Sequence, residues 1–134
     1  ERRFLEKVGG PGTEAMVVTG QVYPRVIDAQ VMGILGNYAA AVQKIATDIR
    51  LLVMHKEMDE PREADQIGSS AMAYKRNPMR CERTCAIARL VQSHHATSMQ
   101  MTAEQWFERT LDDSFSRRVM LPEAFLGADS TPLL

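Results

Sequence analysis

An apolar repeat with the period of an α-helix runs through residues 24–54 and limits the folds open to this chain more than any other feature. Apolar side chains recur there at steps of three and four residues, the spacing that places them on one helix face. A first row consists of Ile27, Val31, Ile34, Tyr38, Val42, Ile45, Ile49 and Leu52. A second row, which widens the face, consists of Met32, Leu35, Ala39, Ala46 and Val53. The pattern predicts a helix from about Pro24 to about Met54, about 45 Å long at 1.5 Å per residue.

The predicted helix contains two interior glycines, Gly33 and Gly36. Each weakens a helix intrinsically by about 1 kcal/mol relative to alanine. We interpret them as positions where a neighbouring helix approaches closely, rather than as a break.

A second long helix is predicted to begin at Pro78. Asn77 followed by proline combines a helix-capping residue with the residue favoured at the first helical position. The apolar stripe of this helix consists of Cys81, Cys85, Ala88, Val91, His95 and Met99. A polar loop is predicted over residues 55–77, between the two long helices.

A third, shorter helix is predicted from about Ser114, and Pro122 should kink or shorten it. Residues 1–23 have a mixed pattern with a glycine-rich turn at residues 9–12. The predicted fold class is therefore all-α.

Helices this long create a burial problem within one chain. The first helix cannot cover its whole apolar stripe with two shorter partners. Because large exposed apolar surfaces mark association sites, we expect an oligomeric bundle of long helices built from several copies.

Composition limits the remaining classes. A chain of 134 residues is one domain or part of one, and its 45% hydrophobic and 25% charged residues favour a packed core over disorder. The net charge of −1 gives no overall attraction to nucleic acid or anionic membranes. No apolar run is long enough to cross a bilayer, and no secretory signal opens the chain. Cys81 and Cys85 lie one helical turn apart, which favours a reduced, cytoplasmic setting over a disulfide framework.

The segment most suggestive of chemistry lies in the predicted loop. It reads Gly68-Ser69-Ser70-Ala71-Met72-Ala73-Tyr74-Lys75-Arg76-Asn77-Pro78. A glycine and two serines give backbone freedom, and a hydroxyl and a lysine stand close to a helix start that favours anions. Chemistry alone leaves an ordinary polar connection between two helices equally open.

This segment resembles the signature Gly-Ser-Ser-x-Met-Pro-x-Lys-x-Asn of the fumarase/aspartase superfamily, with Ala73 in place of proline. Three further runs resemble the adenylosuccinate lyase family within it: Thr19-Gly20-Gln21, residues 44–52, and Gln-Trp-Phe-Glu-Arg-Thr-Leu-Asp-Asp-Ser at residues 105–114. The resemblance extends from about residue 19 to about residue 129. It implies a central domain of long helices in a homotetramer, and release of fumarate from a purine nucleotide that carries a succinyl group.

The resemblance also implies roles for individual residues. Ser69 would be the catalytic base, Lys75 and Asn77 would stabilise the carbanion, and Glu82 would orient Lys75 or Ser69. The implied substrate-binding residues are Gln21, Ser70, Met72, Asn77, Arg83, Arg109, Ser114 and Arg118. Two arginines and a hydroxyl among these also suit a phosphate on physical grounds.

No cofactor and no metal ion are predicted. Cys81 and Cys85 are not in a recognised zinc-binding pattern. His55, His94 and His95 do not match the position of the family's catalytic histidine, and the two in mid-helix are interpreted as structural.

The resemblance places residues 1–134 within the central helical domain, with the N-terminal domain, its general-acid histidine and the C-terminal domain outside this sequence. Alone, such a piece is expected to be inactive. Ala73 should loosen the loop, because proline would fix one backbone angle. The alternatives are another fumarate-releasing lyase such as argininosuccinate lyase, or a truncated, non-catalytic helical oligomerisation module. A nucleic-acid-binding role for the arginines is disfavoured by acidic residues at 57–63 and 112–113.

Overall fold

The computed structural model describes residues 2–61, 71–72 and 74–133. These form four α-helices in chain order: α1 (Arg2–Gly9), α2 (Val26–Met54), α3 (Met79–Ala103) and α4 (Asp113–Ser130). A single 3₁₀ turn follows at Thr131–Leu133. No strand occurs within the described ranges, and the predicted all-α class is confirmed. The short helix α1 was not predicted, because eight residues are too few for a clear helical period.

Helices α2 and α3 pack side by side in opposite directions. Gln43 accepts a hydrogen bond of 2.7 Å from the Gln92 side chain, and Thr47, one turn later, lies 3.7 Å from the Cys85 sulfur. The residue numbers of the contacts in α3 decrease as those in α2 increase. The start of α3 therefore lies beside the end of α2, and the end of α3 beside the start of α2.

Small residues allow these two helices to approach closely. A Cβ atom added at Gly33 or Gly36 would lie 3.4 Å from the His95 side chain. Ala39 and Ala88 are almost fully buried at the same contact. The interpretation of the two glycines as close-approach sites is confirmed, and His95 has a packing role there.

The two apolar rows of α2 differ in burial. Of the second row, Met32, Ala39 and Ala46 are buried, whereas Ile34 and Ile45 of the first row are 70% and 60% exposed. Members of the first row therefore form part of the uncovered apolar surface expected of so long a helix. Both rows have helical period, and only contact with small residues of α3 and with α4 selects one of them.

The core is completed where α4 packs on α3. Met120 and Ala124 of α4 are buried against Val91. His94, also buried, contacts the Glu123 carboxylate at 3.2 Å, which supports its structural interpretation. The predicted stripe of α3 is buried at Cys85, Ala88 and Val91, but Met99 is 51% exposed.

Pro122 does not shorten α4, which continues through it to Ser130. Proline has no backbone N–H, so the carbonyl of Arg118 loses its hydrogen-bond partner within the helix. Both Pro122 and Arg118 are exposed. Water can reach that carbonyl, so the lost bond costs less there than in a buried helix.

Gly127 makes the tightest contact between α4 and α3, and it provides a test of this packing. A Cβ atom at position 127 would lie 2.9 Å from the Val91 Cγ2 methyl. We expect Gly127→Ala to lower the free energy of unfolding by about 1–3 kcal/mol, because overpacking exceeds the gain in helix propensity. In a Val91→Ala background, which removes that methyl, the same change should be neutral or stabilising. Urea unfolding of the four proteins measures the coupling, and equal costs in both backgrounds would contradict this packing.

Candidate active site

The predicted site residues form two groups at opposite ends of the bundle. The first group lies beside the start of α3 and consists of Met72, Lys75, Asn77, Glu82 and Arg83. The second lies beside the starts of α2 and α4 and consists of Gln21, Arg109, Ser114 and Arg118. Since the 25 residues of α3 span about 37 Å, the groups are separated by roughly the length of that helix. One chain does not bring them together.

Four residues of the signature segment lie outside the described residues. They are Gly68, Ser69, Ser70 and Ala73. The roles predicted for Ser69 and Ser70, and the effect expected of Ala73, stay predictions.

The described part of the first group is largely accessible to solvent. Lys75, Glu82 and Arg83 are exposed, and Asn77 is half-buried. The backbone N–H of Lys75 donates to the carbonyl of Met72 at 3.0 Å, which closes a turn before α3. The side chains of this turn are therefore presented at the helix start rather than packed into the core.

The N-terminus of α3 is capped differently from the prediction. Pro78, not Asn77, occupies the N-cap position, and its side chain offers no acceptor. The Glu60 carboxylate supplies it instead, accepting from the backbone N–H groups of Arg80 at 3.0 Å and Cys81 at 2.9 Å. A negative charge is favoured there by the helix dipole. Residue 60, which precedes the signature segment, is thus tied to the helix that follows it.

Cys81 lies between this cap and an open cavity of about 360 Å³, lined mainly by apolar side chains such as Ile45 and Met58. Burial, and then the hydrogen bond and charge of Glu60, raise the pKa of the Cys81 thiol to about 11. Cys81 is half-buried and Cys85 is fully buried. The thiol of Cys81 is therefore reachable but protonated at neutral pH.

The second group surrounds the start of α4. Arg109 and Arg118 are exposed, and neither forms an ion pair within the part of the chain that the structure describes. Ser114 is half-buried in the first turn of α4, where the helix has free backbone N–H groups. Gln21 is exposed in the segment before α2, and Gly20 beside it lies against Glu108 of the loop that carries Arg109. Two uncommitted guanidinium groups at a helix N-terminus suit a phosphate.

Beneath this second group lies a buried charge network that the sequence analysis missed. Arg25 is ion-paired with Asp113, and Asp28 accepts from the Arg117 Nε at 2.6 Å. Tyr23 donates its hydroxyl to Asp28 at 2.6 Å. Asp28 raises the pKa of Arg117, whereas burial, followed by Asp28, raises that of Tyr23. The two ion pairs join residues that are 88 and 89 positions apart in the sequence, so no local sequence pattern predicts them.

Among the described residues, no group of three or more histidine, cysteine, aspartate or glutamate side chains is placed to hold a metal ion. None of the helices in those residues is long and apolar enough to span a membrane.

The raised pKa of Cys81 provides a test of the Glu60 cap. Since the thiolate is the reactive form, alkylation by iodoacetamide at pH 8 should be roughly a hundredfold slower than for a thiol of ordinary pKa, and should accelerate up to about pH 11. Glu60→Gln keeps an acceptor oxygen but removes the charge, so it should lower the pKa and speed the reaction. Buried Cys85 and the unfolded protein serve as slow and fast controls. A native rate that levels off near pH 9 would contradict the assigned contact.

Comparison with known proteins places the chain in a family. Residues 2–93 match a family model described as "Lyase". Adenylosuccinate lyase of Saccharomyces cerevisiae is 60% identical over 112 residues, which are 84% of this chain and 23% of that protein. Adenylosuccinate lyases of Schizosaccharomyces pombe and Schistosoma mansoni are 59% and 57% identical, again over 84% of this chain and 23% and 24% of theirs.

The chain therefore spans about a quarter of the length of these curated relatives. The resemblance to adenylosuccinate lyases that the motifs predict is confirmed. Because the matched model covers more than half of its residues, the chain belongs to this lyase family.

Proposed function

We propose that the full-length protein containing this chain is an adenylosuccinate lyase. It would release fumarate from adenylosuccinate to give AMP, and from the succinylaminoimidazole carboxamide ribotide of purine synthesis. The observation that carries this proposal is the 60% identity over 112 residues to a relative with that name. No cofactor is required for the reaction as proposed.

The reaction is an anti β-elimination. A base removes the proton beside one succinyl carboxylate, the electron pair forms the double bond of fumarate, and the carbon–nitrogen bond to the purine breaks. The departing nitrogen takes a proton from an acid, which we assign to a histidine outside this chain. Ser69 acts as the base, and Glu82 orients Ser69 or Lys75.

Lys75 and Asn77 stabilise the carbanion, whose carboxylate gains negative charge as the proton leaves. The exposed position of Lys75 just before α3 supports this role, because its side chain lies at the protein surface. Ser70, Met72 and Arg83 complete the binding of the succinyl portion.

The nucleotide phosphate is held at the other end of the bundle. Ser114 lies in the first turn of α4, and Arg118 follows it by one turn on the same side of the helix. Arg109 approaches from the preceding loop, and Gln21 from the segment before α2. The exposure of both arginines, without ion-pair partners in the described part of the chain, supports an anionic ligand.

We further propose that a complete site forms only between copies of the chain, in a cytoplasmic homotetramer. The separation of about 37 Å between the two groups supports this arrangement, because adenylosuccinate cannot bridge it within one chain. Part of the first row of α2 supplies an apolar surface for association, since Ile34 and Ile45 are more than half exposed. Cys81 and Cys85 are free thiols, which suits a reducing compartment.

Two alternatives remain. Another lyase of the superfamily, such as argininosuccinate lyase, acts on a substrate without phosphate and has no use for the uncommitted Arg109 and Arg118. A non-catalytic helical module needs only the apolar surface of α2. Both differ from the proposed enzyme in fumarate release from adenylosuccinate.

A fumarate-release assay tests the proposed chemistry. The full-length protein should turn over adenylosuccinate, and Ser69→Ala should lower kcat by at least about a hundredfold, since general base catalysis contributes that much or more. AMP binding by calorimetry should be retained in the variant. The matched control is Ser93→Ala, an exposed serine on α3, which should leave kcat unchanged. Turnover of argininosuccinate instead, or no turnover at all, would contradict the proposal.

Mixing two inactive variants tests the shared site. Lys75→Met and Arg118→Met alter opposite ends of the bundle, so mixed oligomers of the two should contain some intact sites and recover fumarate release. A mixture of Lys75→Met with Arg83→Met, altered at the same end, should stay inactive. Equal recovery in both mixtures, or in neither, would rule out a site built from opposite ends of different copies.

A further inference from the structure

Two ion pairs, one buried and one partly buried, join the start of α2 to the start of α4. Arg25 and Asp113 are 4% and 5% exposed and pair directly. Asp28, also 4% exposed, accepts from Arg117 Nε at 2.6 Å. Two positive and two negative side chains balance there, which is the condition for burying charge at a tolerable cost.

The order of the charges allows only one alignment of the two helices. Along α2 a positive residue precedes a negative one, whereas along α4 the negative residue comes first. Sliding α4 by one turn in one direction would place Arg117 against Arg25. Sliding it in the other would place Asp113 against Asp28. Bringing like charges together in a buried site is strongly unfavourable, so the two ion pairs favour the observed register of α4 against α2.

Two further residues attach the neighbouring loops to the same network. The Tyr23 ring lies 5.1 Å from the Arg25 guanidinium carbon and 5.4 Å from that of Arg117, and its hydroxyl also accepts from Arg117. The Arg25 backbone N–H donates to the Gln105 side-chain oxygen at 2.8 Å. Gln105 in turn donates to the carbonyl of Glu108 at 3.2 Å. The network therefore holds the segment before α2 and the loop before α4 as well.

The predicted phosphate-binding residues lie next to the residues of this network. Asp113 and Arg117 are one turn apart and point toward α2, and Ser114 and Arg118 form the adjacent row on the same helix. Arg109 follows the anchored residue Glu108, and Gln21 precedes Tyr23 by two positions. Each phosphate-binding candidate is thus within two residues of a side chain or backbone group held by the network.

We propose that Tyr23, Arg25, Asp28, Asp113 and Arg117 act as positioning residues that set the affinity of the site for the nucleotide phosphate. This inference rests on the proposed function. None of the five touches the ligand; they fix the direction in which Ser114 and Arg118 point. If the side chains of Ser114 and Arg118 lose this orientation, the affinity for the phosphate falls, even when the helix stays folded.

The test compares product inhibition at the two ends of the site, using the full-length protein and Arg117→Met. The inhibition constant of AMP should rise about tenfold, the loss expected when a charge-assisted contact network is broken. That of fumarate, which binds at the other end, should not change. Arg117→Lys keeps the charge but not the forked contact to Asp28 and Tyr23, so it should lie between the wild type and Arg117→Met. Lys44→Met, which breaks the exposed Lys44–Asp48 pair, is the matched control and should change neither constant.

A purely structural role gives a different result. It would lower kcat by reducing the amount of folded enzyme and leave both inhibition constants unchanged, or raise both equally, and either result would overturn the inference. If Arg117→Met fails to fold, Tyr23→Phe decides, because it removes only the hydroxyl bonds to Asp28 and Arg117. A selective rise in the AMP constant of that variant supports the inference, and no rise overturns it.

Failure of the proposed function can be distinguished from failure of this inference. If the wild-type protein releases no fumarate, the lyase proposal fails, and AMP binding is then measured directly by calorimetry. Weaker AMP binding by Arg117→Met than by Lys44→Met would still support the positioning role. Equal affinities would overturn it.

Discussion

The close antiparallel contact between α2 and α3 is the constraint on which the rest of the structure depends. Gly33, Gly36 and Ala39 on one helix meet His95 and Ala88 on the other, so the His95 ring packs over the two glycines and the helices approach closely. Because the two packed helices are 29 and 25 residues long, residues at opposite ends of the pair lie far apart. The contact therefore sets the core and the separation between the two groups of candidate site residues.

Electrostatics fixes the two ends by different means. At the start of α3 a single carboxylate, Glu60, satisfies backbone N–H groups that Pro78 cannot cap. At the start of α4 three buried charges and the partly buried Arg117 pair across helices, and Arg109 and Arg118 are left exposed. In both places these interactions order the backbone, while Lys75, Arg109 and Arg118 lie exposed nearby. The exposed Ile34 and Ile45 of α2 fit the proposed association of copies, in which a site divided between the two ends would be complete.

Much of the fold could be predicted because helix formation is local. The repeat at steps of three and four residues predicted α2 to within two residues, and the predicted starts of α3 and α4 are each one residue from the observed ones. The repeat does not select which residues of α2 are buried, since Ile34 and Ile45 fit the helical period as well as Met32 and Ala46 do. A periodic pattern shows that a face is apolar; it does not show which neighbour covers it.

The candidate site divides in the same way. The sequence by itself determined which residues are candidates for the site, because the signature segment and the run at residues 105–114 are contiguous motifs whose resemblance to adenylosuccinate lyases needs no coordinates. Only the tertiary structure decided that these motifs lie at opposite ends of one chain, that Glu60 caps α3, and that Arg25 and Asp28 hold α4 in register. The reason is physical. A motif records which side chains are neighbours along the chain, whereas buried charge pairs and helix contacts join residues more than 80 positions apart and exist only once the helices have packed.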